Sequence, residues 1–121
     1  MMEIYFRENE KAMIVEICGE IDHHCADEAR EKIDKEFERS RCKYIIFDFG
    51  KVDFMDSSGI GMIIGRYKIA ERRGGKVIAC NIQSEVKKIF KISGLFRIIE
   101  CCSDMDEAIG MLRTGRPENV I

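Results

Sequence analysis

Apolar positions along the chain switch between strand-like runs and helical spacing, and each switch marks an element. Glu3-Ile4-Tyr5-Phe6-Arg7 and Ala12 to Cys18 are strand-like, and the turn-forming Glu8-Asn9-Glu10-Lys11 between them predicts an opening antiparallel hairpin. Gly19 is expected to end the second run. After Asp22 the spacing becomes helical: Ala26, Ala29, Ile33 and Phe37 recur at i, i+3, i+7 and i+11, with Glu, Lys and Arg on the solvated face. Asp22 is placed as the cap of a helix running to about Arg39, and Asp27 and Glu28 suit its positive end.

The unbroken run Tyr44 to Phe49 reads as a strand buried on both faces, as parallel sheets require. A polar-punctuated loop is expected next, delivering Asp56-Ser57-Ser58-Gly59 to a helix that Gly74-Gly75 terminates. That helix carries two apolar stripes: Met62, Ile63, Ile69 and Ala70, and Ile60, Ile64 and Tyr67. One stripe covers a sheet; the other packs on neighbouring helices or meets a partner. Val77 to Cys80 is a short buried strand. Ser84 is placed as the cap of a short helix with Val86, Ile89 and Phe90 inward, closed by Ser93-Gly94. Phe96 to Ile99 is expected as an edge strand. Ser103-x-x-Asp106 introduces a last helix carrying Met105, Ala108, Ile109 and Leu112, and Thr114 to Ile121 is expected to fray. The order ββαβαβαβα predicts an α/β sandwich: a mostly parallel sheet of four to five strands with right-handed crossovers, one antiparallel edge strand and about four helices.

Composition narrows the function classes. At 121 residues, 45% apolar and 35% charged with one proline, the chain is one globular domain, expected over residues 1–113. Twenty basic against 22 acidic residues leave a net charge of −2, without the footprint of a nucleic-acid or anionic-membrane binder. No run reaches transmembrane length and Met1 to Asn9 lacks a signal pattern, so a cytoplasmic protein is expected. The six cysteines (Cys18, Cys25, Cys42, Cys80, Cys101 and Cys102) form no C-x-x-C pair and are expected as free thiols.

Most catalytic readings fail on spacing. Gly59-x-Gly61-x-x-x-Gly65 is one residue off the dinucleotide fingerprint and lies mid-chain, with no Walker Lys-Ser/Thr pair. These glycines read instead as tight packing. Ser57 or Ser58 with His23 or His24 as base lacks a nucleophile elbow and an orienting third group. Asp48, Asp53 and Asp56 lack the paired acids that an aspartyl-phosphate site needs at the end of the first strand. What remains is a serine on a helix N-terminus at the C-terminal edge of a central strand, with Asp56 as cap and Ser57 in the first turn. Glu20 and Asp22 are expected close by, with no arginine cluster placed to pair with a phosphoserine.

The blocks Phe54-Met55-Asp56-Ser57-Ser58-Gly59-Ile60-Gly61 with Gly65-Arg66-Tyr67-Lys68, Gly19-Glu20-Ile21-Asp22-His23-His24 and Ile92-Ser93-Gly94-Leu95-Phe96 resemble the STAS-domain anti-sigma factor antagonists. The resemblance runs from about residue 3 to 113, and the Asp22-His23-His24 stretch favours the sporulation branch over the general-stress branch. It implies a binding switch rather than an enzyme. The unphosphorylated form binds an anti-sigma factor that is also a serine kinase and so frees a sigma factor. That kinase, using its own ATP and Mg²⁺, phosphorylates Ser57 and the complex dissociates; a PP2C-type serine phosphatase restores the active form. The implied partner surface is Glu20, Asp22, His23, Asp56, Ser57, Ser58, Gly59, Ile60, Gly61 and Ile64, with no cofactor, metal, nucleic acid or membrane of the protein's own. The alternatives are a general-stress or other partner-switching module, a ligand-sensing STAS domain, and a small serine hydrolase or nucleotide-dependent enzyme.

Overall fold

The computed structural model describes residues 2–114. The elements are β1 (Glu3–Asn9), β2 (Ala12–Ile21), α1 (Ala26–Arg39), β3 (Tyr44–Met55), α2 (Ser57–Arg72), β4 (Val77–Cys80), α3 (Ser84–Ser93), β5 (Glu100–Cys102) and α4 (Met105–Thr114), with one 3-10 turn, Leu95–Arg97, before β5. Strands lie in sequence order in one five-stranded sheet, with β1 antiparallel to β2 and the rest parallel. The expected α/β architecture is the observed one. The expected tail after Thr114 lies outside the described residues.

Laying parallel strands down in order has a consequence for the layers. Successive right-handed crossovers that advance in one direction put α1, α2 and α3 on the same face of the sheet. The larger core forms there: Ala29, Ile33 and Phe37 of α1, Ile63 and Ala70 of α2, and Val86 and Phe90 of α3 pack on Val15, Ile45, Phe47, Phe49 and Ala79. Full burial of Ile33 or Phe37 contributes about 1.5–3 kcal/mol each. Helix α4 covers part of the opposite face, where Ala108 and Met111 meet Ile14, Ile46, Ile78 and Cys102.

The structure corrects several expected boundaries. The stretch after Phe49 is strand, not loop: twelve residues of β3 run beside ten of β2, and two register shifts, between Glu16 and Cys18 and between Gly19 and Glu20, absorb the difference. Gly19, at φ 103°, sits at the second shift instead of ending the strand. The expected strand Phe96–Ile99 is replaced by the 3-10 turn, because left-handed Gly94 (φ 77°) ends α3 and the amides of Ile98 and Ile99 both donate to the Leu95 carbonyl. Ser84 is the first residue of α3, not its cap. In α4 the cap falls one residue later than expected, with Asp104 Oδ1 accepting from Glu107 N–H at 2.9 Å.

All six cysteines are free thiols, as expected. Burial pushes Cys80 and Cys101 up to about 12 and Cys102 to about 11, which leaves them inert near neutral pH.

Helix α2 ends in a Schellman motif. Gly74 N–H donates to the Glu71 carbonyl and Gly75 N–H to the Ala70 carbonyl, each at 2.9 Å, with Gly74 at φ 80°. A Cβ on Gly75 would run into the backbone carbonyl of Lys43, whereas one on Gly61 would meet nothing within 4 Å. Gly75→Ala is therefore expected to cost about 2–4 kcal/mol, and Gly61→Ala to add about 0.5–1 kcal/mol. Urea unfolding of both variants checks this; equal effects would refute the assigned packing.

Candidate functional site

The two shifts in β3 carry its end past the body of the sheet, so that Met55 pairs with Ile21 and Asp56 N–H donates to the Ile21 carbonyl at 3.2 Å. Asp56 then starts α2. One carboxylate oxygen accepts from Ser58 N–H at 2.8 Å, and the other accepts from His23 N–H at 3.2 Å and lies 3.8 Å from His23 Nδ1. The cap of α2 thus also holds the β2–α1 connection. Asp22 organises that connection itself: its carboxylate accepts from the backbone of His24 (2.9 Å) and Cys25 (3.2 Å), and its carbonyl accepts from Ala26 N–H. It acts through a turn that begins three residues before the cap position, which Cys25 occupies. Partial desolvation works against the charge on Asp22, but the donors from His24 and Cys25 outweigh it and hold the carboxyl below its ordinary value.

Ser57 is exposed at the first position of α2, and Ser58 is half-buried at the second. Neither hydroxyl has a hydrogen-bond partner among the described residues, and neither is bonded to His23 or His24, whose rings lie 4.0 Å apart in the connection before α1. Glu20 is exposed and pairs across the sheet with Phe54, itself 47% exposed.

The expected partner surface divides. Glu20, His23, Ser57 and Gly61 are exposed, and Asp22, Asp56, Ser58 and Ile64 partly so. Gly59 and Ile60 are buried. A Cβ on Gly59 would sit 3.0 Å from Met55 Sδ and 3.1 Å from Ile21 Cγ2, so this glycine serves helix-to-sheet packing. Ile60 belongs to the core, with Ile64 and Tyr67 packed partly against it, so the second apolar stripe is mainly an internal seam. Gly61 and Gly65 depart from the tight-packing expectation: both face open space.

Two arginines were given no site role from the sequence, although Arg66 stands in the Gly65-Arg66-Tyr67-Lys68 block. Arg30 of α1 and Arg66 of α2 line a groove of about 410 Å³ together with His23, Asp27 and Ser58. The chain pattern showed Arg66 only as an interruption in an apolar helix and Arg30 only as one of many charges on α1. No group of three or more His, Cys, Asp or Glu side chains among the described residues is placed to hold a metal, and no described helix is long and apolar enough to cross a membrane.

The model of the STAS domain matches residues 3–108. The chain belongs to the STAS-domain family. It is 36% identical over 98 residues to the anti-sigma F factor antagonist of Paenibacillus polymyxa, covering 81% of this chain and 84% of that protein. It is 33% identical over 94 residues to the anti-sigma-B factor antagonist of Bacillus subtilis, covering 78% and 84%. The solved structure of the anti-sigma factor antagonist SpoIIAA in its unphosphorylated form superposes with a TM-score of 0.79 at 30% identity, over 93% of this chain and 97% of that one.

Two outcomes follow from the Asp56 and Asp22 contacts. Asp56→Ala removes the cap and the link to His23, and is expected to lower unfolding free energy by about 1–2 kcal/mol in urea titration; no loss would mean the cap is idle. Because the folded-state value of Asp22 is depressed, its contribution is present above the unfolded carboxylate value near 4 and is lost as pH falls through the folded one. The melting-temperature gap between wild type and Asp22→Asn should close on acidification below about pH 4; a gap that widens would reverse the assignment.

Proposed function

We propose that this protein is an anti-sigma factor antagonist whose binding is switched by phosphorylation of Ser57. The observation that carries the reading is the exposed Ser57 hydroxyl at the first position of α2, beside a cap that fixes both the helix and the His23 connection. Family membership and the relatives named above support it.

On this reading the unphosphorylated face, Glu20, Asp22, His23, Asp56, Ser57, Ser58, Gly61 and Ile64, docks an anti-sigma factor that is also a serine kinase, and the sigma factor is released. The exposed Gly61, one turn beyond Ser57, lets the partner backbone come close. A phosphoryl group adds roughly −1.5 to −2 charge and three strongly hydrated oxygens at that point. Asp56, Asp22 and Glu20 belong to the same proposed face, so the phosphate adds like charge to it. Desolvating the phosphate, together with its bulk, opposes rebinding. A PP2C-type serine phosphatase restores the docking form. ATP and Mg²⁺ belong to the kinase, the protein itself performs no catalysis, and it works in the cytoplasm.

The Asp22-His23-His24 stretch and the 36% relative favour a sporulation partner, while the 33% sigma-B relative makes a general-stress partner the alternative. Both are read in one experiment. The protein is incubated with an anti-sigma kinase of each type and Mg-ATP, followed by phosphopeptide mapping and native gels. One phosphate on Ser57 is expected, together with loss of the complex. Ser57→Ala should bind and stay bound, and Ser57→Asp should weaken binding at least about tenfold. Phosphate on Ser58 would move the site, and no phosphate with either kinase would refute the switch.

A further inference from the structure

Arg66 is the one polar residue among the buried described side chains, 5% exposed, and its donors are incompletely satisfied. Its Nε lies 2.8 Å from Asp34 Oδ1, yet the pair lacks hydrogen-bond alignment, and Nη1 is buried with no acceptor. Burial pushes the guanidinium below its usual value, Asp34 opposes that, and Arg30 adds to it. An arginine stays charged under such conditions, so the site keeps a cation with an orphaned donor.

This side chain lines the α1–α2 groove, and the surrounding groups favour an anionic ligand. Arg30 reaches the same groove with its own carboxylates, Asp27 and Glu31, no closer than 3.8 and 3.7 Å. The Ser58 hydroxyl lines it without a partner among the described residues. Gly61 and Gly65 leave its α2 wall open. Among the described residues Asp27 is the only carboxylate on the lining and is 87% exposed, so its charge is largely screened by water, while Asp34 holds the Nε side of Arg66 from outside the lining.

We propose that this groove binds a phosphate group, held by the guanidinium groups of Arg30 and Arg66 and by the Ser58 hydroxyl. A guanidinium fork matches two oxygens of a tetrahedral oxyanion, and turning Arg66 toward the groove gives Nη1 the acceptor it lacks. The group comes either from inorganic phosphate or from a small phosphomonoester. Both present the same dianion, and about 410 Å³ accommodates either. The groove shares His23, Ser58 and Gly61 with the proposed docking face, but filling it needs no partner protein and no modified serine, so it is tested apart from the switch.

The test uses the purified full chain alone. Inorganic phosphate in one arm and glycerol 3-phosphate in the other are titrated at constant ionic strength, with sodium chloride as control. The readout is the amide shift of Ser58 and the side-chain Nε–H shift of Arg66 by nuclear magnetic resonance. Saturable shifts in both arms are expected. Saturation by the ester alone would also support the site and name esterified phosphate as the source. Arg30→Gln, at a 43% exposed side chain that leaves the core intact, should weaken binding at least about tenfold, while Asp27→Asn should tighten it a few-fold. Arg66→Lys, if folded, should bind poorly, since the fork is lost. No saturable shift in either arm, or equal affinity in wild type and Arg30→Gln, overturns the proposal.

Discussion

The site depends on two parallel strands of unequal length. β3 has two more residues than β2 over their common run, and the ladder absorbs them as two bulges placed in the half of the sheet nearest the site. Each bulge adds local twist and re-aims the side chains beyond it. The ladder still closes at Ile21 and Met55, and the next amide, Asp56, continues the bonding to Ile21. The serine pair is therefore carried on the end of a hydrogen-bonded strand instead of a free loop. Gln83 fastens the first bulge from the other side by donating to the Gly50 carbonyl at 2.8 Å, and Asp48 accepts from Gly50 N–H and from the Asn81 amide.

From that end, α1 and α2 are joined by polar links of unequal value. At the far end Arg73 donates to the Cys42 carbonyl at 2.8 Å while its guanidinium lies 4.0 Å over the Phe37 ring, satisfying backbone and packing on an aromatic at once. At the near end Asp56 joins the two connections through His23. Between them lies the Arg66–Asp34 pair, the weakest case for stability. A buried ion pair recovers its desolvation cost only with good geometry and full hydrogen bonding, and this one has neither. Apolar residues of similar volume would close the seam as well or better. A charge retained at such a position is better explained by what it faces than by what it holds together.

The hairpin was legible as two apolar runs flanking a turn-forming segment, and the face of α1 as a clean 3.6 period through Ala26, Ala29, Ile33 and Phe37. The second half of β3 was not. Its buried residues, Phe49, Val52 and Met55, fall every third position because the bulges break the alternation, and such a stretch reads as a polar-punctuated loop. Leu95-Phe96-Arg97-Ile98-Ile99 misled in the opposite sense. Its β-branched and aromatic residues suggest a strand, but the turn imposed by Gly94 and the burial of Leu95 decide its shape. Within the site, Asp56 and Ser57 were visible as a cap and a first turn. The fate of Ile60 was not, because a helix covered on two sides shows two apolar stripes whether the second cover is part of the same chain or a partner. The arginine groove was invisible for a related reason: it exists only where two helices distant in sequence meet.

Helix α2 is fixed at both ends, which bears on how a phosphate would be read. Its start is held by Asp56 and by Gly59 packed on Met55, and its end by the Schellman turn with Gly75 against Lys43. Between these points Ile63 and Ala70 are fully buried. Moving the helix to relieve a new charge at Ser57 would break the cap, open the glycine contact and expose core, a cost of several kcal/mol at least. Repulsion between a phosphate of charge roughly −1.5 to −2 and a carboxylate that solvent screens amounts to about 1.5–2 kcal/mol at 4 Å. The smaller term gives way, so the helix stays where it is and the charge acts locally. Whatever docks against Ser57 must then meet the phosphate on an unyielding surface. On the proposed reading, that rigidity makes a single modified hydroxyl sufficient as a switch.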